Sequence, residues 1–597
     1  MPKIEVNEEA FYSLAGFSRG RNDALPLSRE ELEETLSCAK AELDSDPWSA
    51  DSDKSIPFSE RILKIELNDT NRPDLWGTAG CARQLRIYNG GIIPEYSFFS
   101  WPNDKKKAGY RVIVEASVKQ VRPYRAGVVA SATIINDPRL RDMIQTQEKL
   151  AWNFGRKRRT ISMGLYRISR ISWPIIYKGV DPDSISFVPR QWEGGGLTLR
   201  EILKQHPKGK EYAFILEQEP IHPLLTDSQG FILSYPPIIN SNDLGAVQAG
   251  DSDIFVELTG ADQMSLSLAA SIVACDLSDN GFTIEPVEID YEFDTPFGRE
   301  CITPYYFQEP VFCSLARIEK FLGEAISTDD CIKALARMGV RAEKTEDAEY
   351  GKNGESKIAG IRAWPPEYRN DYLHAADVME DIMIGRGLSS FKPERPRDFT
   401  MGRLGPVTVF SRRIKEIMAG LAYQEMIYNY LGSRKDLADR MQRDDKVLIR
   451  ISNPMTENYE YVRDSILPSL LQSESVSAHA VYPHRIFETG KTAYLEESEN
   501  YGSVTRQYLG FLHAGTDANF NTLSAELQTL FYYLSRTYEV EEKSDSRFIP
   551  GRAAAIMYRG RSIGVFGEIH PEVLENWGIT VPCTACELDV EVLLEQE

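Results

Sequence analysis

The sequence predicts a multidomain α+β protein. Three observations lead there. The 597 residues correspond to about four domains at ~150 residues each. Apolar residues at 42% and charged residues at 26% give the balance of an ordinary globular chain. Strand-like segments, one with a clear two-residue period, occupy residues 89–299, and capped helices flank them on both sides.

The elements follow in order. In residues 1–88, Ser28 with Glu31 three positions on signals a capping box and predicts a helix over 27–43. Asp44-Ser45-Asp46-Pro47 reads as a loop, Pro57 falls outside regular structure, and 62–67 reads as a strand. In residues 89–299, Val112, Val114, Ala116 and Val118 alternate with Ile113, Glu115, Ser117 and Lys119, which predicts one half-buried strand. Further strands are expected at 213–216 and 254–258, punctuated by Gly194-Gly195-Gly196 and Ser234-Tyr235-Pro236-Pro237. In residues 300–392, Ser327 opens a helix carrying Cys331, Leu335 and Met338, and Gly339 closes it. Two short helices with an extended wing between them fit this module. In residues 393–597, Phe410, Ile414, Ile417, Met418 and Leu421 share one helical face. A hairpin is expected at 555–566 around Arg559-Gly560, followed by a helix from Pro571 to Gly578.

The bulk numbers restrict function. A net charge of −21 excludes a surface coated all over by nucleic acid, although not a local basic patch. No apolar run reaches the ~18 residues of a membrane span, and the first residues lack the apolar core of a signal peptide. The eight cysteines are mostly single, as in buried thiols of a reducing cytoplasm. Cys583 and Cys586 form the one close pair; with no second pair to complete a zinc site, they read as part of a C-terminal strand.

Four groups of motifs carry a family resemblance. Asn68-Asp69-Thr70-Asn71-Arg72-Pro73-Asp74-Leu75-Trp76 with Gly80-Cys81-Ala82-Arg83 is, on its own, a turn with Asp74 placed to cap a helix. His206-Pro207-Lys208-Gly209, Ser234-Tyr235-Pro236-Pro237 and Glu257-Leu258-Thr259-Gly260 come next. Pro365-Pro366-Glu367-Tyr368-Arg369-Asn370-Asp371 runs on to Gly385. Asn453-Pro454-Met455-Thr456, Val462-Arg463-Asp464-Ser465 and Gly564-Val565-Phe566-Gly567-Glu568 complete the series. In this order, the motifs resemble the β subunit of phenylalanine–tRNA ligases of the archaeal and eukaryotic type.

The resemblance implies an editing α+β domain, a small winged-helix-like module and a degenerate class II synthetase-like antiparallel-sheet domain. It implies a cytoplasmic heterotetramer of two α and two β chains that binds tRNA(Phe). The α subunit would perform the ATP-dependent ligation (EC 6.1.1.20), and this chain would hydrolyse mischarged Tyr-tRNA(Phe). The segment Gly194-Gly195-Gly196-Leu197-Thr198-Leu199-Arg200-Glu201 only superficially matches an ATP-binding strand, and it reads as a loop entering a helix. The rival readings are a stand-alone trans-editing hydrolase and a non-enzymatic tRNA-binding or assembly subunit.

Site residues follow from the same resemblance. The editing pocket is placed on Leu225, Ser234, Glu257 and Thr259, with Glu257 receiving the tyrosine hydroxyl, Ser234 and Thr259 positioning the amino acid or water, and Leu225 as an apolar wall. Residue by residue, the plain alternative is ordinary strand and turn polars. His206 and His222 precede prolines and read as turn formers. Mg²⁺ is assigned to Asp371, Asp377, Glu380 and Asp381, of which the last three share one helical face; a solvated acidic face is the plain alternative. Arg156, Lys157, Arg158 and Arg159 form the densest basic run and are candidates for tRNA phosphates, with Lys105-Lys106-Lys107 next. Gly164-Leu165-Tyr166-Arg167 departs from the family, where an aspartate is expected near Arg167.

Overall fold

The computed structural model describes residues 2–17, 27–44, 56–99, 108–244, 246–351, 354–397 and 400–595. Ser45-Asp46-Pro47 and Lys105-Lys106-Lys107 lie outside these residues. The chain divides into two compact units, Met1–Glu394 and Arg395–Glu597.

The first unit opens with a three-stranded sheet in which Ile62–Leu67 lies between Lys3–Asn7 and Ala41–Leu43. The capping box at Ser28 and Glu31 is present, but its helix spans only Arg29–Leu36. Lys40 then adopts a left-handed φ of 50° and turns the chain into the strand Ala41–Leu43, so the helix expected over 27–43 ends early. Asp74 does not cap a helix. It is buried, and its Oδ2 accepts from Arg72 Nη2 at 2.7 Å. The helix Thr78–Gly90 has Gly77 at its cap, and the Thr78 amide donates to Asp142 Oδ1 from across the fold at 3.0 Å. Gly80 touches the turn so closely that a Cβ there would sit 1.7 Å from the Asp74 carbonyl oxygen.

The middle of this unit is a ten-stranded mixed sheet among the described residues. Its order is Ile239–Asn240, Ile232–Tyr235, His222–Thr226, Ile175–Val180, Tyr110–Val114, Thr283–Tyr291, Tyr124–Ser131, Ile254–Gly260 and Ile161–Arg167, with Glu300–Thr303 added on Thr283–Tyr291. The strand expected over 112–119 stops at Val114, because the Glu115 amide is drawn to the Tyr177 carbonyl and a 3₁₀ turn covers Ala116–Val118. The strand expected at 213–216 is a 3₁₀ turn, Ala213–Ile215, continuing the helix Pro207–Tyr212. Thr198 caps Leu199–Gln205 through a reciprocal bond with Glu201, so the glycine-rich segment is a loop entering a helix. The unit ends with Val311–Ser314, the helices Leu315–Leu322 and Thr328–Arg337, a hairpin Arg341–Gly351 with Gly354–Trp364, and the helix Ala375–Arg386. The hairpin stands between the last two helices.

The second unit is a seven-stranded sheet ordered Gln424–Glu425, His484–Leu495, Ser503–Ala514, Cys583–Asp589, Arg561–Ile569, Phe548–Tyr558 and Glu539–Glu542, antiparallel except at its first pair. Pro406–Gly420 and Phe520–Leu534 pack on one face with Leu509, Phe511, Phe566 and Cys586. Leu467–Val476 and Pro571–Trp577 pack on the other with Leu512, Ala585 and Cys583. Cys583 and Cys586 therefore join opposite cores, and all eight cysteines are free and buried. Glu587 is buried and accepts from Ser465 Oγ, the Ile466 amide and Arg547. In the same cross-strand row, Glu488 takes a two-pronged bond from Arg463 at 2.7 and 2.8 Å. Between them stands Gly510, where a Cβ would meet Ile466 Cγ2 at 2.8 Å. The chain's own 463–466 segment thus covers this part of the sheet.

The contact at Gly80 gives a direct test. Gly80→Ala must push the helix off the Asp74 turn and should cost about 3 kcal/mol, read as a lower melting temperature. An unchanged melting temperature would show that the two segments separate freely.

Candidate active site

The site is built on the strand Ile254–Gly260, which is buried along its whole length between two antiparallel neighbours. Glu257 and Thr259 share one face. Glu257 is flanked by Gly127 on one side and Gly164 on the other, so no side chain stands beside it on either strand. Thr259 is flanked by Arg125 and Ser162. A cavity of about 540 Å³ opens over this face. Ser162, Met163, Ser234, Asn240 and Glu257 form its inner lining, and Lys149, Trp152, Arg158, Arg190, Lys208 and Tyr212 also line it. A cavity of about 550 Å³ in the second unit is lined largely by Ile549, Ile569, Leu574, Ile579 and Val581; its carboxylates Glu568 and Glu575 face no basic lining residue, so the polar cavity is the better candidate for chemistry.

Glu257 is 3% exposed. Its Oε1 accepts from the Tyr166 hydroxyl at 3.0 Å, and its Oε2 lies 2.8 Å from Arg125 Nη1. The Arg125 contact is an ion pair without hydrogen-bond alignment, since none of the Arg125 nitrogens has an aligned acceptor. The Arg125 guanidinium also lies over the Tyr177 ring, 4.6 Å from its centre. Beside Arg125, the carboxylate offers acceptors and no donor. Burial first, and then the Glu257 charge, hold the Tyr166 phenol far above its usual pKa range, so it stays a donor.

Ser234 is buried, and its Oγ stands beside the Tyr166 hydroxyl without hydrogen-bond alignment. It sits opposite Leu225 in the neighbouring strand. Leu225 and Thr259 are fully buried behind the cavity wall and do not line it. Leu225 packs with Val112, Val114 and Leu233. Thr259 Oγ1 accepts from Arg122 Nε at 2.8 Å and lies 2.7 Å from Ser162 Oγ, so Ser162 is the hydroxyl that reaches the cavity. Arg122 also donates to the Thr259 and Arg159 carbonyls. Burial pushes its guanidinium down to about 10. Sequence reasoning missed Ser162, Arg122, Arg125 and Tyr166. Register brings Ser162, Arg125 and Tyr166 to this strand, and Arg122 reaches Thr259 from the segment before Tyr124–Ser131, although the irregular Gly164-Leu165-Tyr166-Arg167 segment was a signal. Arg167 finds its acid in Asp251 at 2.8 Å.

His206 accepts the Lys208 amide and caps a helix, as a turn former does. His222 instead lies within a strand, where its Nδ1 stands 2.6 Å from the Tyr235 hydroxyl and burial lowers its pKa. No histidine is among the described residues that line the cavity.

Arg156, Lys157 and Arg158 have φ of 49°, 56° and 65°, three consecutive left-handed residues without a glycine. Such positions cost of order 1 kcal/mol each. The turn is held by the Lys157 and Arg158 amides donating to the Trp152 and Ala151 carbonyls, both at 2.8 Å. Arg158 reaches into the cavity and donates to the Pro237 and Ile238 carbonyls. Arg156, Lys157 and Arg159 stay exposed, with Lys157 over Trp152 and Arg159 over Phe214.

The acidic group behaves differently. Arg369 donates to Asp371 at 2.6 and 2.9 Å and to Asp381 at 2.6 Å. Tyr372 also donates to Asp381. Burial pushes the Asp371 carboxyl up, but the Arg369 charge and hydrogen bonds outweigh it and hold the group well below its usual range. Asp377 accepts the Leu373 and His374 amides ahead of its helix, and Glu380 pairs with Lys40 at 3.0 Å. Among the described residues, no three acidic, histidine or cysteine side chains gather into a metal-ligating group. The four carboxylates as arranged do not fit a magnesium site, because the chain's own cations and amides already serve them.

Comparison with known proteins agrees with this architecture. Residues 311–388 match the tRNA synthetase B5 domain, and together with the full-length relatives below this sets the class, a tRNA synthetase subunit. Residues 395–590 match the phenylalanyl tRNA synthetase beta chain CLM domain. The phenylalanine–tRNA ligase β subunit of Treponema pallidum subsp. pallidum is 43% identical over 626 aligned residues, covering 100% of both chains. That of Borreliella burgdorferi is 43% identical over 599, again covering 100% of both. An N-terminal fragment of the phenylalanyl-tRNA synthetase β subunit from Pyrococcus horikoshii, solved by crystallography, is 30% identical with a TM-score of 0.53, covering 65% of this chain and 100% of the fragment. The chain belongs to the phenylalanine–tRNA ligase β-subunit family, a component of an aminoacyl-tRNA ligase (EC 6.1.1.20). The archaeal neighbour agrees with the type expected from the motifs, and the spirochaete relatives match over their full length as well.

The Arg369 network yields a second test. Asp381→Ala leaves a buried guanidinium short of a counter-charge and should cost about 3–5 kcal/mol in EDTA and in magnesium buffer alike. A loss seen only with magnesium would assign Asp381 to the ion.

Proposed function

We propose that the cavity over Glu257 removes tyrosine from mischarged tRNA(Phe), while a partner α subunit performs the ATP-dependent charging in a cytoplasmic α2β2 complex. The observation that carries this reading is a buried carboxylate, held by Arg125 and Tyr166, at the inner end of a cavity with basic and aromatic residues elsewhere in its lining. A tyrosine phenol would donate to Glu257, with Ser234 Oγ as a second partner. A phenylalanine ring in the same place would leave Ser234 Oγ without a partner and set the remaining acceptor capacity of Glu257 against an apolar edge, and buried polar groups with unmet capacity are costly. Exposed Trp152 offers a face on which a terminal base can stack, and Lys149, Arg158, Arg190 and Lys208 offer charge for phosphates. Arg156, Lys157 and Arg159 extend that charge outward.

Hydrolysis at this site is assigned to a water positioned by Ser162 and to the tRNA's own terminal hydroxyl, because the lining residues supply no histidine base, while Ser234 holds the amino acid. Leu225 and Thr259 act from behind, as packing and as the anchor of Ser162. The second unit supports a non-ligating role for this chain. Arg463 and Arg547 are spent on Glu488 and Glu587, and the 463–466 segment covers the face where a nucleotide would need to lie. ATP and magnesium are assigned to the complex as a whole. No helix among the described residues is long and apolar enough to cross a membrane, and the free buried thiols suit the cytoplasm.

The test is deacylation of Tyr-tRNA(Phe) and Phe-tRNA(Phe) by the chain alone and with its α subunit. Loss of tyrosine with phenylalanine spared is expected, and Glu257→Ala should lower kcat/KM for Tyr-tRNA roughly 10- to 100-fold. Charging without deacylation would overturn the editing reading and leave a tRNA-binding subunit.

A further inference from the structure

We propose that Tyr166 positions Glu257 for reading a phenol, and that Gly164 exists to let its ring lie there. This rests on the editing reading of the cavity. Tyr166 comes from the edge strand Ile161–Arg167, and its position is opposite Phe255, two residues before Glu257. Its ring stacks on Phe255 with centres 6.1 Å apart. Core packing alone would be served by phenylalanine. The hydroxyl instead leans back along its own strand, over Gly164, to donate to Glu257 Oε1 at 3.0 Å. A Cβ at Gly164 would lie 2.5 Å from that oxygen and 2.8 Å from the ring carbon bearing it. Gly127, on the other side of Glu257, likewise has no room for a side chain because of the Phe255 ring.

The two glycines leave a trough in which Glu257 has no lateral support. Tyr166 supplies it at one oxygen, and Arg125 supplies the opposite charge at the other. Each carboxylate oxygen can accept more than one hydrogen bond, so acceptor capacity remains for a ligand. Tyr166 does not line the cavity and does not touch a ligand there. Its hydroxyl also lies 3.4 Å from Asn240 Oδ1, a longer contact than the 3.0 Å bond to Glu257, so it acts chiefly through Glu257 and is a positioning residue.

The test uses the complete α–β complex carrying Tyr166→Phe, Glu257→Gln, or both. The first variant keeps the ring and removes only the hydroxyl. With positioning, Tyr166→Phe raises KM for Tyr-tRNA about tenfold, the scale of one hydrogen bond to a charged group, with kcat held. Phe-tRNA deacylation, phenylalanine charging and the melting temperature stay near wild type. The double variant is then no worse than Glu257→Gln alone. Gly164→Ala gives the same loss for Tyr-tRNA by displacing the ring. A Tyr166→Phe complex that folds and deacylates Tyr-tRNA within twofold of wild type, while Glu257→Gln is impaired, overturns the positioning role and leaves the editing reading standing. A wild-type complex that charges tRNA yet deacylates nothing overturns both.

Discussion

A guanidinium cannot be buried unless the chain brings acceptors or charge to it, and this protein buries several. Arg83, Arg122, Arg369 and Arg463 are among its largest fully enclosed side chains. The desolvation of each is severe, and solvation is restored only by groups fixed in place. The partners come from far along the sequence. Arg83 meets Asp276 and Asp279, tying the helix Thr78–Gly90 to the helix Gln263–Asp279, while its guanidinium lies 4.1 Å over Tyr368. Arg122 joins the strand Ile254–Gly260 to the basic turn through the Thr259 and Arg159 carbonyls. Arg463 joins the cover segment to the second unit's sheet through Glu488. Within each unit these clamps set which elements lie together, and the candidate site depends on one of them directly.

The same requirement changes the meaning of the acidic residues. A run of carboxylates on one helix face suggests an external cation, because like charges at that spacing repel. Here the repulsion is relieved internally. Arg369 stands between Asp371 and Asp381, Lys40 reaches Glu380 from the first module, and the backbone ahead of the helix takes Asp377. A buried pair of this kind adds little to stability compared with a well-packed apolar core, but losing one partner is expensive. That asymmetry preserves the constellation without any ion being needed to explain it.

What was legible in the sequence was local. Ser28 with Glu31 sets the start of a helix, and Ser327 with Gly339 and His570-Pro571 with Gly578 bound one at both ends, by chemistry that acts within a few residues; the structure has those starts and stops. The alternation over 112–119 misled because Val118 is buried in a 3₁₀ turn, not in a continued strand, and burial alone does not separate the two. The segment 213–216 failed for a similar reason, since Phe214 and Leu216 sit on a turn. Glu257, Ser234, Thr259 and Leu225 came from family likeness, and the fold sorts them into two cavity residues and two behind the wall. Arg125 and Ser162 were invisible because cross-strand register is a long-range property that no short motif encodes, and for Tyr166 the one signal was the departure of Gly164-Leu165-Tyr166-Arg167 from the family pattern.

The site then divides by depth. Its inner wall is sheet: Glu257 on a strand paired on both sides, glycines to either side, and a phenol and a guanidinium that fix the carboxylate. Its basic side is a left-handed turn of three basic residues that holds its strain through backbone bonds to the preceding helical turn. Discrimination of one hydroxyl needs a rigid acceptor, because a carboxylate free to swing would find water in place of the missing phenol and lose the penalty for phenylalanine. Capture of a flexible nucleic-acid end needs charge and stacking faces, which tolerate small displacements. The inner sheet and the strained turn meet those two demands separately, and Arg122 links them, hydrogen-bonded to Thr259 on one side and to Arg159 on the other.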